Sequence, residues 1–130
     1  MVRDLMAVMV LQADWAAARA GRRHLEAMCR ALKTTPEVVD VARVLVSELV
    51  TNAVIHGHSS PRLDVGTGAR GALYVGVGDD DSRYPVVQDG DDDSLNGRGL
   101  RLLESLASRW GVRPDPPGKV VWFELDGDVA

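Results

Sequence analysis

Cysteine is nearly absent: Cys29 is the only one in 130 residues. A single thiol cannot close an internal disulfide, and it excludes a structural zinc site built on two or more cysteines of one chain. A reducing, cytoplasmic setting fits that usage. Basic residues are not in excess either. Fifteen Lys and Arg stand against nineteen Asp and Glu, for a net charge of −4. That is not the electrostatic footprint of a nucleic-acid binder. Long apolar runs are missing as well. The run from Leu5 to Leu11 is seven residues, and Gln12, Asp14 and Arg19 follow at once. It is too short for a membrane span and marginal for a signal-peptide core, so it reads as a first strand. No Walker A motif exists, because Gly118-Lys119 is followed by Val120 and lacks the earlier glycine.

What is present is ordinary globular material. Hydrophobic residues make up 45% and charged residues 26% of a 14.0 kDa chain, which suits one domain over residues 1–130. At this size about two-thirds of the unfolded surface can be buried. Val8 to Leu11 reads as a strand, and Asp14 as the N-cap of a helix from Trp15 to Leu32. Thr35 can cap a second helix from Pro36 to His56, with Pro36 at its first position, Glu37 at its positive end and Gly57 as its stop. The period then changes. Arg62 to Thr67 and Leu73 to Val77 alternate as the strands of a hairpin. A polar loop follows, carrying Asp79-Asp80-Asp81, Asp89 and Asp91-Asp92-Asp93; a loop this long in a small domain marks a functional lid, here about 80–98, or local disorder. Gly97-Arg98-Gly99 opens a short helix, Leu100 to Ser108, and two further strands follow, Trp110 to Arg113 and Lys119 to Leu125. The order β-α-α-β-β-loop-α-β-β predicts an α+β two-layer sandwich, a mixed and mostly antiparallel sheet covered on one face by helices.

Three groups of residues carry chemistry. At about 100° per residue, Val41, Leu45, Glu48 and Asn52 share one stripe of an otherwise apolar helix. A carboxylate facing the interior needs a cation or a strong donor. The Asn52 carboxamide oxygen can serve Mg²⁺, and Glu48 can orient or deprotonate a nucleophile; on spacing alone, a helix-surface pair without chemistry is the leading reading. Gly97-Arg98-Gly99-Leu100 sets glycines before a helix whose free N–H groups suit an anion, with Arg98 and Arg101 adding charge. Asp79 ends the apolar strand Val75-Gly76-Val77-Gly78 and can accept a hydrogen bond from a base amine. Other matches fail. Gly66-Thr67-Gly68-Ala69-Arg70-Gly71 spells a dinucleotide fingerprint but precedes a strand, not a helix. Asp89, Asp91 and Asp93 lack the glycine and closing glutamate of a calcium loop. His56-Gly57-His58 lacks further ligands. Cys29, in an apolar helix, reads as a small hydrophobe rather than a nucleophile.

In chain order these groups are Ser47-Glu48-Leu49-Val50-Thr51-Asn52-Ala53-Val54-Ile55-His56, then Val77-Gly78-Asp79, then Gly97-Arg98-Gly99-Leu100. That series resembles the GHKL ATPase superfamily, whose Bergerat ATP-binding fold serves histidine kinases, gyrase, a heat-shock chaperone and mismatch-repair ATPases. It looks most like the branch of small anti-sigma-factor serine kinases, a likeness that Trp110-Gly111-Val112-Arg113 and Gly118-Lys119-Val120-Val121-Trp122-Phe123 extend over about residues 8–126. The resemblance implies ATP and Mg²⁺ as cofactors. It makes Glu48 the general base, Asn52 the Mg²⁺ ligand, Asp79 the acceptor of the adenine amine, and Gly97 and Gly99 the glycines against the phosphates. Arg98 matches a basic residue at the phosphate end, and His56 and Leu100 close their motifs as nucleotide-binding positions. Two positions depart from the pattern: the glycine box Asp-x-Gly-x-Gly reads Asp79-Asp80-Asp81-Ser82-Arg83, and Val120 stands where relatives usually carry Thr near the adenine.

The function so implied is a Mg-ATP-dependent serine/threonine protein kinase that phosphorylates an anti-anti-sigma (STAS-type) protein and sequesters a sigma factor. Such proteins act in transcription regulation without touching nucleic acid or membrane, and relatives are often homodimers. One alternative is a nucleotide-binding interaction module with little or no phosphotransfer. A distant third is a detached histidine-kinase catalytic domain, for which the chain has no room for a phosphoacceptor helix pair.

Overall fold

Alternating apolar residues build the sheet first. Leu63 and Val65, and Leu73, Val75 and Val77, fall on one face of two neighbouring strands, as period-2 geometry requires. The computed structural model describes residues 6–56, 60–81 and 95–127. Its elements are β1 (Met6–Val10), α1 (Ala17–Leu32), α2 (Pro36–His56), β2 (Arg62–Thr67), β3 (Leu73–Asp79), α3 (Leu95–Leu106), β4 (Arg109–Asp115) and β5 (Gly118–Leu125). The strands form one sheet in the order β1-β2-β3-β5-β4. Every neighbouring pair is antiparallel, so the expected parallel component is absent among the described strands. The reason is topological: β5 folds back from β4 and slots between β4 and β3, so these two like-directed strands never meet.

All three helices contribute to one layer. α2 packs on β3 and β5 and is flanked by α1 and α3. Leu25, Leu45, Val46 and Val50 from the helices meet Leu63, Val65, Val75 and Phe123 from the sheet, all at 0% exposure. The result is the α+β sandwich read from the sequence. The opposite sheet face is covered by its own side chains. The Tyr74 ring stacks with Trp122 at 6.3 Å between centroids, and Arg113 Nη1 donates to the Tyr74 hydroxyl at 2.7 Å.

Element boundaries follow the sequence where start signals are strong. α2 spans the expected residues, because Pro36 suits the first turn and no further proline or glycine interrupts a largely apolar helix. Its expected stop, Gly57, lies outside the described residues. The cap expected of Thr35 is made by backbone alone: its carbonyl accepts from Val39 N–H at 3.0 Å, while its Oγ1 is buried without a hydrogen-bond partner. α1 starts later than expected. The Asp14 carboxylate accepts from Ala16 N–H at 2.9 Å and its carbonyl from Ala17 N–H, so Asp14 shapes the turn before the helix instead of capping it. α3 starts earlier than expected, at Leu95, so Gly97 and Gly99 lie within its first turns. Cys29 is buried at 2% exposure, and burial pushes its thiol up from the ordinary range.

Two measurements check this packing. Leu45→Ala should lower stability by about 2–5 kcal/mol in denaturant unfolding, since it deletes a side chain with no exposed surface. The Cys29 thiol should react with an aromatic disulfide reagent at least tenfold more slowly in the folded protein than in guanidinium; equal rates would contradict its burial.

Candidate functional site

The end of β3 turns a hydrophobic strand into a charged site. Leu73, Val75 and Val77 face the helices, and the same parity sends Asp79 to that face. Asp79 is 5% exposed. A carboxylate so buried requires compensation, and its cross-strand neighbour on β5 is Lys119. The Lys119 Nζ lies 3.0 Å from Asp79 Oδ1 and 3.3 Å from Oδ2, and it also donates to the Asp81 carbonyl at 2.8 Å. The Asp81 N–H donates back to Asp79 Oδ1 at 2.8 Å. The acid is therefore oriented by an ammonium and a backbone amide together.

Gly118 makes this approach possible. A Cβ there would lie 1.8 Å from the Asp79 carbonyl oxygen and 2.5 Å from Asp80 Cα, so only glycine lets β5 start against this turn. Val120 pairs with Gly78 and lies on the sheet face away from the helices, its Cγ1 over Gly76 beside the Tyr74 hydroxyl. The position beside Asp79 belongs to Lys119, which the sequence reading did not single out. The signal was there: Lys119 shares parity with Val121 and Phe123, and a lysine at an inward position calls for a buried acid.

The second half of the site joins α2 to α3. Asn52 and Gly99 meet so closely that a Cβ on Gly99 would lie 2.8 Å from Asn52 Nδ2, with Leu49 Cδ2 at 4.0 Å. The first turns of α3 are thus held against the asparagine carboxamide. Glu48, one turn earlier on α2, is half-buried, as is His56 in the last turn. Beside Glu48, Ser47 accepts from Arg22 Nη1 at 3.0 Å and donates to the Arg43 carbonyl at 2.9 Å, which ties this stretch of α2 to α1. Leu100 is 4% exposed and belongs to the hydrophobic core, so its side chain anchors α3. Gly97 and Arg98 lie in the first turns of α3. Ser82 and Arg83 of the glycine-box position, Asp89 and Asp91 to Asp93 fall outside the described residues, as does most of the lid expected over 80–98.

The donor set fits a phosphate-bound magnesium rather than a protein cage. Among the described residues no group of three or more His, Cys, Asp or Glu could hold a metal. A lone carboxamide oxygen suits Mg²⁺, which keeps several waters and takes the rest of its oxygens from phosphate. The absence of a side chain at Gly99 lets the α3 backbone pack directly against that carboxamide. Among the described residues no helix is long and apolar enough to cross a membrane.

Comparison with known proteins agrees with this arrangement. The family model for the histidine kinase-like ATPase domain matches residues 11–125. A crystal structure of the RsbU and RsbW domains of Rv1364c from Mycobacterium tuberculosis superposes with a TM-score of 0.73 at 19% identity. The match covers 95% of this chain and 33% of that one, so the chain spans about a third of that protein's length. A search of curated proteins finds no match.

Gly118→Ala tests the strand-end geometry. It should cost at least about 1–3 kcal/mol, because the obstructing atoms are backbone and cannot swing aside. An unfolding midpoint equal to the parent's would show that β5 does not start against Asp79.

Proposed function

Since the chain belongs to the histidine kinase-like ATPase domain family, we propose that it binds Mg-ATP and works as a serine protein kinase of the anti-sigma type. In this reading it phosphorylates an anti-anti-sigma (STAS-type) protein and sequesters a sigma factor. The observation that carries the nucleotide site is the contact of Gly99 with the Asn52 carboxamide. It brings a helix N-terminus and a hard oxygen ligand to one place, where backbone N–H groups and a divalent cation act on the same phosphate chain.

Each residue then has a distinct task. Asp79 accepts the exocyclic amine of adenine at the inner end of the site. Asn52 offers its oxygen to Mg²⁺, which, when bound, neutralises phosphate charge. The α3 N-terminus, with Gly97 and Gly99 leaving the backbone open and Arg98 adding charge, steadies the phosphates. Glu48 holds the partner's serine hydroxyl and takes its proton as the phosphoryl group moves to that oxygen. His56 lies on the same helix one turn beyond Asn52, at the edge of the nucleotide site.

A second reading, a nucleotide-dependent interaction module without phosphotransfer, draws on the turn after β3. Where the family has the first glycine of its box, Asp81 follows Asp79 and Asp80, and it is 9% exposed and fixed through its own backbone. In that reading ATP binding sets a partner surface, and Glu48 has no chemical role.

Calorimetric titration separates binding from chemistry. Parent protein should bind ATP more tightly with Mg²⁺ than without it. Asn52→Ala should lose the magnesium dependence, and Asp79→Asn should weaken binding at least tenfold. Glu48→Ala should keep ATP affinity within about threefold and lose 100-fold or more in phosphate transfer to a cognate STAS-type partner, in line with the usual contribution of a general base. Transfer undiminished in Glu48→Ala would remove that residue from catalysis, and absence of ATP binding in the parent would remove the nucleotide site.

A further inference from the structure

We infer that Lys119 is the positioning residue that sets base specificity at this site, an inference that rests on the reading of Asp79 as the base-recognising acid. Asp79 and Lys119 side chains are each 7% exposed, and they lie on adjacent antiparallel strands in direct register. Lys119 does more than neutralise. Its ammonium grips Asp79 Oδ1 at 3.0 Å and the Asp81 carbonyl at 2.8 Å, with the longer 3.3 Å approach to Oδ2. Asp81 N–H adds a second donor to Oδ1. The carboxylate is held on one oxygen by two strong donors, and Oδ2, with a single long contact among the described residues, keeps capacity for another donor.

This arrangement fixes the chemistry that Oδ2 presents. Gripped by an ammonium, the carboxylate presents an acceptor only. It favours a purine with an amine at position 6 and opposes one with a carbonyl oxygen there, because two acceptors then face each other in a dry site. Without Lys119 the side chain loses the contacts that fix its rotation and no longer aims Oδ2. An acid that is not aimed leaves position 6 unread, and the distinction between amine and carbonyl disappears. Lys119 therefore acts on the base through Asp79. Its bond to the Asp81 carbonyl also anchors the first residues after β3.

The test is calorimetric titration of the full chain with Mg-ATP and Mg-ITP, which differ at position 6 of the base, read as the ratio of the two dissociation constants. The parent should bind ATP at least tenfold more tightly than ITP. Lys119→Met should bring the ratio to within about twofold of one, as should Asp79→Asn, whose amide can present either N–H or oxygen. A purely structural lysine would lower the melting temperature and leave the ratio at the parent value, which would overturn the inference. Should Lys119→Met not fold, Lys119→Arg carries the test. It keeps the charge, but no single guanidinium nitrogen can reproduce the ammonium's contacts, so the ratio should fall; a parent-like ratio overturns the inference. A parent that binds ATP and ITP equally overturns it while leaving the nucleotide site intact. A parent that binds neither overturns the nucleotide reading and this inference with it.

Discussion

At the junction of β3 and β5 a carboxylate and an ammonium are both removed from water, and neither could stay there without the other. Removing two charges from solvent costs several kcal/mol per ion in general, and only close geometry with extra hydrogen bonds recovers it. Asp79 and Lys119 meet that condition through the Asp81 amide and carbonyl. The requirement reaches outward. It demands that β5 pair with β3 in a register that sets Lys119 opposite Asp79, and that Gly118 precede it without a side chain. The central strands of the sheet are aligned by the same contact that orients the acid of the proposed site.

The helical layer serves the site differently. α2 is largely apolar and lies across the centre of the sheet, against β3 and β5, where burial does most to fix its position. Asn52 rides on that helix into contact with α3, and Leu100 and Leu103 pin α3 to the core. In the proposed site a rigid helix carries the side-chain ligand, and a second helix, anchored a turn further on, carries the backbone that faces it. A magnesium-bound phosphate chain needs both, since its recognition is mostly positioning and charge.

Much of this was legible without coordinates. The pattern of α2, with Pro36 at its start and apolar residues throughout, sets its span, and strict alternation sets β2. The N-box-like block on α2 and Asp79 at the end of β3 announce the family before any fold is drawn. What failed were signals that depend on neighbours. Asp14 has the composition of a cap, yet the chain makes another turn before α1 begins. Gly97 looks like a helix boundary, but α3 begins at Leu95 and absorbs it. Lys119 carries no motif signal of its own, and only cross-strand register sets it beside Asp79.

The sequence by itself determined the layer architecture, the order of elements and the residue types offered for chemistry, because periodicity and turn residues act within a few positions of the chain. Tertiary structure alone decided which of them meet. Lys119 is 40 positions from Asp79, and Gly99 is far along the chain from Asn52. Contacts over such separations are set by strand order and helix docking, and these follow from the burial of the whole apolar surface rather than from any local signal.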